Sequence, residues 1–315
     1  MKLNTAFTAT LVLITLAVLL PWTGSAYWMR LGTLAAMYSV LAVSWTIVGG
    51  FTGYPSFATA AFFGLGAYTG GILVARGWPF PLAVLCAALL AFALALLLGS
   101  VLLRLKGHYF AIGSLAVVEV LRELANSSTE LTGGGMGLNV PMNAGSGITA
   151  MASLFYWAMW ALLLACFLVA RWIERSKLGF GLACIRQNEA AADMIGVNAT
   201  LYKSLAFGFS AIFVGAAGAV YAAWVNYIEP ADVFDVLLSV KPIVMALLGG
   251  LGSVSGAVAG ALVFLGLEET LWRNMLEMHS AALGVLVVLL LLFLPHGLKS
   301  LPGRFVRTGS GAAHD

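Results

Sequence analysis

Charge is what this sequence has least of. Its 16 basic and 13 acidic residues make up 9% of 315 positions, where a soluble chain carries roughly 25%. The net charge of +3 and the lack of a long basic run argue against a nucleic-acid partner. Cysteine is nearly absent: Cys86, Cys166 and Cys184 show no metal-ligand spacing and sit in or beside apolar segments, which excludes a disulfide framework and a zinc site. The four histidines are scattered. No Gly-x-x-x-x-Gly-Lys-Ser/Thr phosphate loop occurs, so the chain does not hydrolyse ATP by itself. No Ser/His/Asp or Cys/His set has a catalytic spacing, and the expectation is a non-enzymatic chain with no metal.

What is abundant is apolar residue, 61% of the chain, with a mean hydropathy of +0.98. No soluble fold of this length has interior enough for it. The apolar residues come in long blocks rather than alternating, which selects helices over a membrane barrel. The expected fold is an all-α polytopic membrane protein with about ten (8–10) transmembrane helices. The candidate spans are 6–21, 31–49, 56–75, 80–103, 108–125, 151–172, 204–228, 236–250, 253–270 and 280–295. The first follows Lys2 and precedes a weakly cleavable Gly24-Ser25-Ala26, yet reads as a retained helix rather than a signal peptide.

With the N-terminus inside, 11 basic residues fall on cytoplasmic segments, among them Arg104, Arg171, Arg175, Arg186 and Lys203. Five fall on the other side: Arg30, Arg76, Arg122, Lys241 and Arg273. That is the bias of the positive-inside rule, so both termini are placed in the cytoplasm. Residues 1–315 then form one transmembrane domain with a cytoplasmic loop at 173–203, a periplasmic loop at 126–150 and a cytoplasmic tail at 296–315. Trp22, Trp28, Trp78 and Trp272 sit at outer boundaries as interfacial anchors.

Three groups of residues stand out. The inside loop is the densest in charge, and Glu189 to Met194 forms an alanine-rich helix stopped by Gly196. Leu182 and Ile185 supply an apolar face that Met194 and Ile195 extend, with Arg186, Asn188 and Glu189 on or near the polar side. Such a helix on the membrane surface transmits force from a soluble motor; the plainer reading is a solvated loop with a stabilising turn.

Second, Gly49-Gly50-Phe51-Thr52-Gly53-Tyr54-Pro55-Ser56 and Gly249-Gly250-Leu251-Gly252-Ser253-Val254-Ser255-Gly256 form a weak internal repeat. Paired glycine and proline interruptions mark unwound segments beside a transport path, because freed backbone groups in a membrane need protein or a wet cavity as partner. Gly50, Gly53, Pro55, Gly250 and Gly252 are the candidates; Gly64 and Gly260 read as close helix packing. Third, Glu119 and Arg122 are spaced as an ion pair at the outer end of a span, with Glu123 on the same face. Lys241 is an unusual charge within a span, Glu268 and Glu269 are placed toward the outer interface, and Glu229, Asp232 and Asp235 make an acidic outer loop.

Glu189-Ala190-Ala191 followed by Gly196 resembles the coupling-helix signature of bacterial ABC importer permeases. Gly53–Phe57 with Ala60–Thr69, Leu103–Ile112, Leu131–Gly134, Ile185–Asn198 and Leu247–Ser253 narrow the resemblance to the M-type permease of the branched-chain amino-acid importers, over about 45–295. The sequence departs from that pattern in the four residues between Ala191 and Gly196, in Gly181 (or Phe180) and Ala183 where relatives are often basic, and in Gly135-Met136 for a Pro-Asn pair. The resemblance implies coupling to an ATPase through Arg186, Asn188, Glu189, Ala190, Ala191, Asp193, Gly196 and Asn198. It also implies a second, H-type permease, two ATPase subunits that bind the ATP and Mg, a periplasmic binding protein, and an inner-membrane location. The implied substrates are branched-chain or other hydrophobic amino acids, with urea, short amides and aromatic acids as near alternatives. An ion-coupled carrier acting alone is the competing reading; it calls for carboxylates deep in the bundle.

Overall fold

A computed structural model describes residues 26–105, 107–141 and 148–274 of the chain. Its architecture is almost wholly helical. Helix α1 (Ala26–Trp45) continues into a π-helical turn, Thr46–Gly50, and after a non-helical stretch α2 (Thr59–Ala75) begins. Helices α3 (Phe80–Leu102) and α4 (His108–Ser127) follow, then a compact cap: α5 (Thr129–Thr132), a 3-10 turn and the strand β1 (Leu138–Asn139). Next come α6 (Ile148–Arg175), α7 (Lys177–Gln187), α8 (Glu189–Met194) and α9 (Ala199–Val225). The chain closes with β2 (Tyr227–Ile228), α10 (Pro230–Val233), α11 (Leu237–Gly249) and α12 (Val254–Asn274).

Among the described residues, four helical segments are long and apolar enough to cross a membrane: Tyr27–Gly50, Phe80–Leu102, Met151–Arg175 and Ala199–Val225. The expected spans 6–21 and 280–295 lie outside the described residues, as do the tail at 296–315, Trp22 and part of the 126–150 loop. The spans 236–250 and 253–270 are corrected: they are the two limbs of one unit bent by 114° at Gly250–Ser253. An apolar-length count cannot sense such a turn, since each limb looks like a short span by itself. The all-helical expectation also missed β1 and β2, which pair antiparallel as Leu138 with Ile228 and Asn139 with Tyr227. This pair joins the 126–150 loop to the far end of α9, and Tyr227 donates to the Met136 carbonyl at 2.8 Å.

α1 and α9 are the enclosed helices, while α3 and α6 lie at the periphery. The sequence of α3 shows how a lipid-facing helix is written. Ala83, Ala87, Ala91, Ala95 and Gly99 are buried on one stripe, and Leu85, Leu89, Leu97 and Val101 face outward. Lipid removes the incentive to bury leucine, so small residues go to the seam and let helices approach. The same rule builds the α2–α9 crossing, where a Cβ on Gly66 would lie 2.0 Å from the Gly215 carbonyl oxygen. Gly64 abuts the Phe234 ring and Gly260 the Met245 carbonyl, the close packing expected of both.

Candidate functional site

The stretch 53–58 gives up helical geometry, and each freed group has to be satisfied without lipid. Gly53 N–H returns to the Gly49 carbonyl at 3.1 Å. Phe57 N–H donates to Ser114 Oγ at 2.9 Å, and the Phe57 carbonyl accepts from Ser239 Oγ at 2.6 Å. Ser239 Oγ in turn accepts from Ala60 N–H at 2.9 Å, and Trp45 Nε1 donates to the Ser56 carbonyl at 2.9 Å. Pro55, half-buried here, brings no N–H to satisfy. Ser114 and Ser239 are fully buried. Neither was singled out by sequence reasoning, and nothing in one sequence reveals them, because their partners are distant in the chain.

The second break meets the first. A Cβ on Gly50 would come within 3.1 Å of Gly252 N, and one on Gly252 within 3.3 Å of the Gly50 carbonyl oxygen. Gly53, Gly250 and Gly252 all have positive φ, at 76°, 100° and 76°, a region that side chains resist. So Gly50, Gly53 and Gly252 are brought together around Arg186, with Gly250 two residues before the contact.

Between the two breaks lies Arg186, from the end of α7. Its guanidinium donates to the Gly50 carbonyl at 3.0 Å, and its Cγ stands 3.0 Å from where a Gly53 Cβ would be. A Gly252 Cβ would lie 3.1 Å from the same guanidinium. Gly252→Ala is therefore expected to displace Arg186 from Gly50, read as faster amide exchange over 186–196; unchanged exchange would show that Arg186 does not fasten this segment.

The loop itself is two helices, not one. Asn188 sits in an extended conformation between α7 and α8 and accepts from Ala191 N–H at 3.2 Å. Asn198 caps α9 by accepting from Leu201 N–H at 3.0 Å, and Asp193 accepts from Ala199 N–H at 3.3 Å. Gly196 takes φ 85°, which ends α8. Asn188, Asp193, Gly196 and Asn198 thus shape the turn, as helix caps do.

Two features of the polar and apolar faces are corrected. Glu189 points into the bundle: it accepts from Lys203 Nζ at 2.8 Å and from the Tyr54 hydroxyl. Lys203 is 1% exposed, also donates to the Leu103 carbonyl at 3.3 Å, and lies 4.3 Å from the centre of the Tyr54 ring. Burial and the neighbouring Glu189 carboxylate hold the Tyr54 phenol well above its ordinary pKa, so it stays a donor. Met194 and Ile195 do not extend the buried face of Leu182 and Ile185; they are 84% and 66% exposed, with Ala190 also outward. A carboxylate at a helix start finds a buried lysine before it finds water, and that turns the rest of α8 outward.

Gly181 packs flat on Tyr202, where a Cβ would lie 2.4 Å from the ring, so a basic side chain has no room there. Glu119 and Arg122 are paired at 3.5 Å with both side chains about half exposed, so the pair lies on the outer face of α4. Glu268 is not spent at the interface: it accepts from Lys241 at 2.7 Å, which gives Lys241 its partner, and Glu269 accepts from Tyr27. Among the described residues no group of His, Cys, Asp and Glu is placed to hold a metal ion.

A family profile described as the branched-chain amino acid transport system permease component matches residues 27–294. The chain is 30% identical to the high-affinity branched-chain amino acid transport system permease protein LivM of Escherichia coli K12, across 96% of this chain and 76% of that one. It is 25% identical to LivH of the same strain, across 86% and 93%. It is 28% identical to the probable LivM of Methanocaldococcus jannaschii, across 69% and 67%. No solved structure matches. An almost wholly helical bundle with two glycine breaks joined by one arginine, matched along nearly its whole described length, places this chain in the family of branched-chain amino acid transport permeases, as a multi-pass membrane protein of the LivM-like kind.

Proposed function

We propose that this chain is a permease subunit of an ATP-driven, binding-protein-dependent importer that moves branched-chain or other hydrophobic amino acids across the inner membrane by alternating access. It works beside an H-type permease, two ATPase subunits that bind ATP and Mg, and a periplasmic binding protein. Both termini are cytoplasmic, and the chain itself carries no nucleotide or catalytic residue.

The observation that supports this reading most is the fastening of α7 and α8 to both breaks. The tip of α8 offers Met194 and Ile195 to a soluble partner. Its base is tied through Glu189 to Tyr54, and α7 through Arg186 to Gly50. From Tyr54 the unwound stretch runs to Phe57, and Ser239 joins Phe57 to α11. A push on the tip therefore reaches both broken segments through side-chain and backbone contacts, without crossing lipid. Packed elements with discrete arrangements respond to such a push by switching rather than by bending gradually.

The test is purification of the full chain from its own membranes with identification of what accompanies it. A second permease and two ATPases are expected, and Met194→Glu with Ile195→Glu is expected to release the ATPases while leaving the chain in the membrane. A lone permease that moves amino acids in liposomes without ATP would replace this reading with that of a secondary carrier, for which the half-buried Lys241–Glu268 pair would then be the natural ion site.

A further inference from the structure

Where α11 begins, α1, α9 and the α10–α11 corner line a half-open cavity of about 290 Å³. That is near the lower end of small-ligand pockets, roughly 300–1,000 Å³. Its lining has three chemically distinct parts. Asp232 and Asp235 supply two carboxylates that take part in no ion pair among the described residues. Asp235 also accepts from Leu237 N–H at 3.0 Å, which fixes it at the start of α11.

The second part is Lys241, about one turn further along α11. One of its protons goes to Glu268 Oε1, and its ammonium stands 5.5 Å from the centre of the Tyr38 ring. Glu268 Oε2 is buried with no hydrogen-bond partner, so Glu268 holds Lys241 in place with accepting capacity left over. The third part is apolar: Leu34, Met37 and Leu238, closed by the rings of Tyr38 and Tyr221. Arg30 stands one helical turn outward of Leu34 on α1.

An anionic solute would meet two carboxylates here, and a plain cation would leave Lys241 and the apolar wall unused. A free α-amino acid with an aliphatic side chain matches all three parts at once. We propose that this cavity is a binding site of the permease itself for a zwitterionic aliphatic amino acid: its ammonium lies at Asp232 and Asp235, its carboxylate at Lys241, and its side chain against Leu34 and Met37. This rests on the amino-acid importer reading above. The floor of the site is coupled to the breaks, since Ser239, two residues before Lys241, bonds the Phe57 carbonyl.

The test uses the full chain purified with its partner permease and without any binding protein, and tritiated leucine as probe. Saturable binding at up to millimolar concentration is expected. 4-Methylpentanoate, which lacks the ammonium, and 3-methylbutylamine, which lacks the carboxylate, are each expected to compete at least about tenfold less well, as for a lost charge-assisted hydrogen bond. Asp232→Asn with Asp235→Asn keeps the cap at Leu237 and is expected to weaken leucine binding about tenfold or more. Leu34→Trp, which fills the cavity and removes no charge, is expected to abolish it. No saturable binding by the wild-type complex, wild-type binding by both variants, or 3-methylbutylamine competing as well as leucine would each overturn the proposal, the last by making it a cation site. ATP-driven uptake by the reconstituted wild-type importer is measured beside it: uptake without cavity binding removes this site and keeps the importer, and cavity binding without ATP-driven uptake does the reverse.

Discussion

Lys203→Met is expected to unfasten α8 and stop transport while leaving α9 in the membrane. Lys203 is buried at the start of α9, and its ammonium is shared between Glu189 at 2.8 Å and the Leu103 carbonyl at 3.3 Å. Methionine keeps the length of the side chain and its packing, so the loss falls on the charge. Glu189, half-buried beside the Tyr54 hydroxyl, then faces the bundle without the Lys203 ammonium. Removing one member of a buried pair costs about 3–5 kcal/mol, because the other charge is left uncompensated. The cost is confined to the α8 turn, which relaxes by swinging Glu189 out to water. Amide exchange over 186–198 should rise sharply, thermal stability should fall, and transport should be lost. Lys203→Met with Glu189→Gln removes both charges and should recover much of the stability. Recovery of uptake should be smaller, since the neutral pair no longer holds α8 against Tyr54. A single variant as stable and as active as the wild type would show that this pair does not fasten the α8 turn.

That lysine also shows where sequence reading stops. As a charge it marks the end of a span, which is why 204–228 was expected where the helix runs from Ala199. The true start is set by the Asn198 cap, and the charge is tolerated because Glu189 comes back to meet it. The breaks at Gly53–Pro55 and Gly250–Gly252 were legible, since glycine and proline act locally on the backbone. Their contact with each other and with Arg186 was not, being a matter of tertiary approach between segments far apart in sequence. The same holds for the cavity: Asp232 and Asp235 read as an acidic loop and Lys241 as a stray charge, and only the corner at α10–α11 brings them to one wall. Helix content follows from composition and blocks of apolar residues. Which charges face inward follows from packing, and an exposed Met194 beside an inward Glu189 inverts the amphipathic pattern that a soluble helix would obey.

Glycines give the second large effect, and a paired comparison isolates it. Gly66 on α2 and Gly266 on α12 are both helical glycines, the first buried and the second exposed. A Cβ on Gly66 would lie 2.0 Å from the Gly215 carbonyl oxygen and 2.5 Å from its Cα, whereas one on Gly266 meets nothing within 4 Å. Backbone cannot turn aside as a side chain can, so Gly66→Ala must push α2 off α9. Neighbouring contacts repeat the constraint: Gly70 lies on Ala219, and a Cβ on Gly218 would stand 2.1 Å from the Phe63 carbonyl oxygen. Overpacking a close seam costs about 1–3 kcal/mol, and more where nothing can yield. Gly66→Ala is therefore expected to lower the unfolding temperature strongly, and Gly66→Val to prevent accumulation of folded protein. Gly266→Ala should instead be neutral or stabilise by up to about 1 kcal/mol, through the entropy of the unfolded chain. Equal effects at the two positions would mean that the α2–α9 approach is looser than this seam requires. Opposite signs would tie the position of α2, and with it the unwound stretch that α2 anchors, to a backbone contact that only glycine permits.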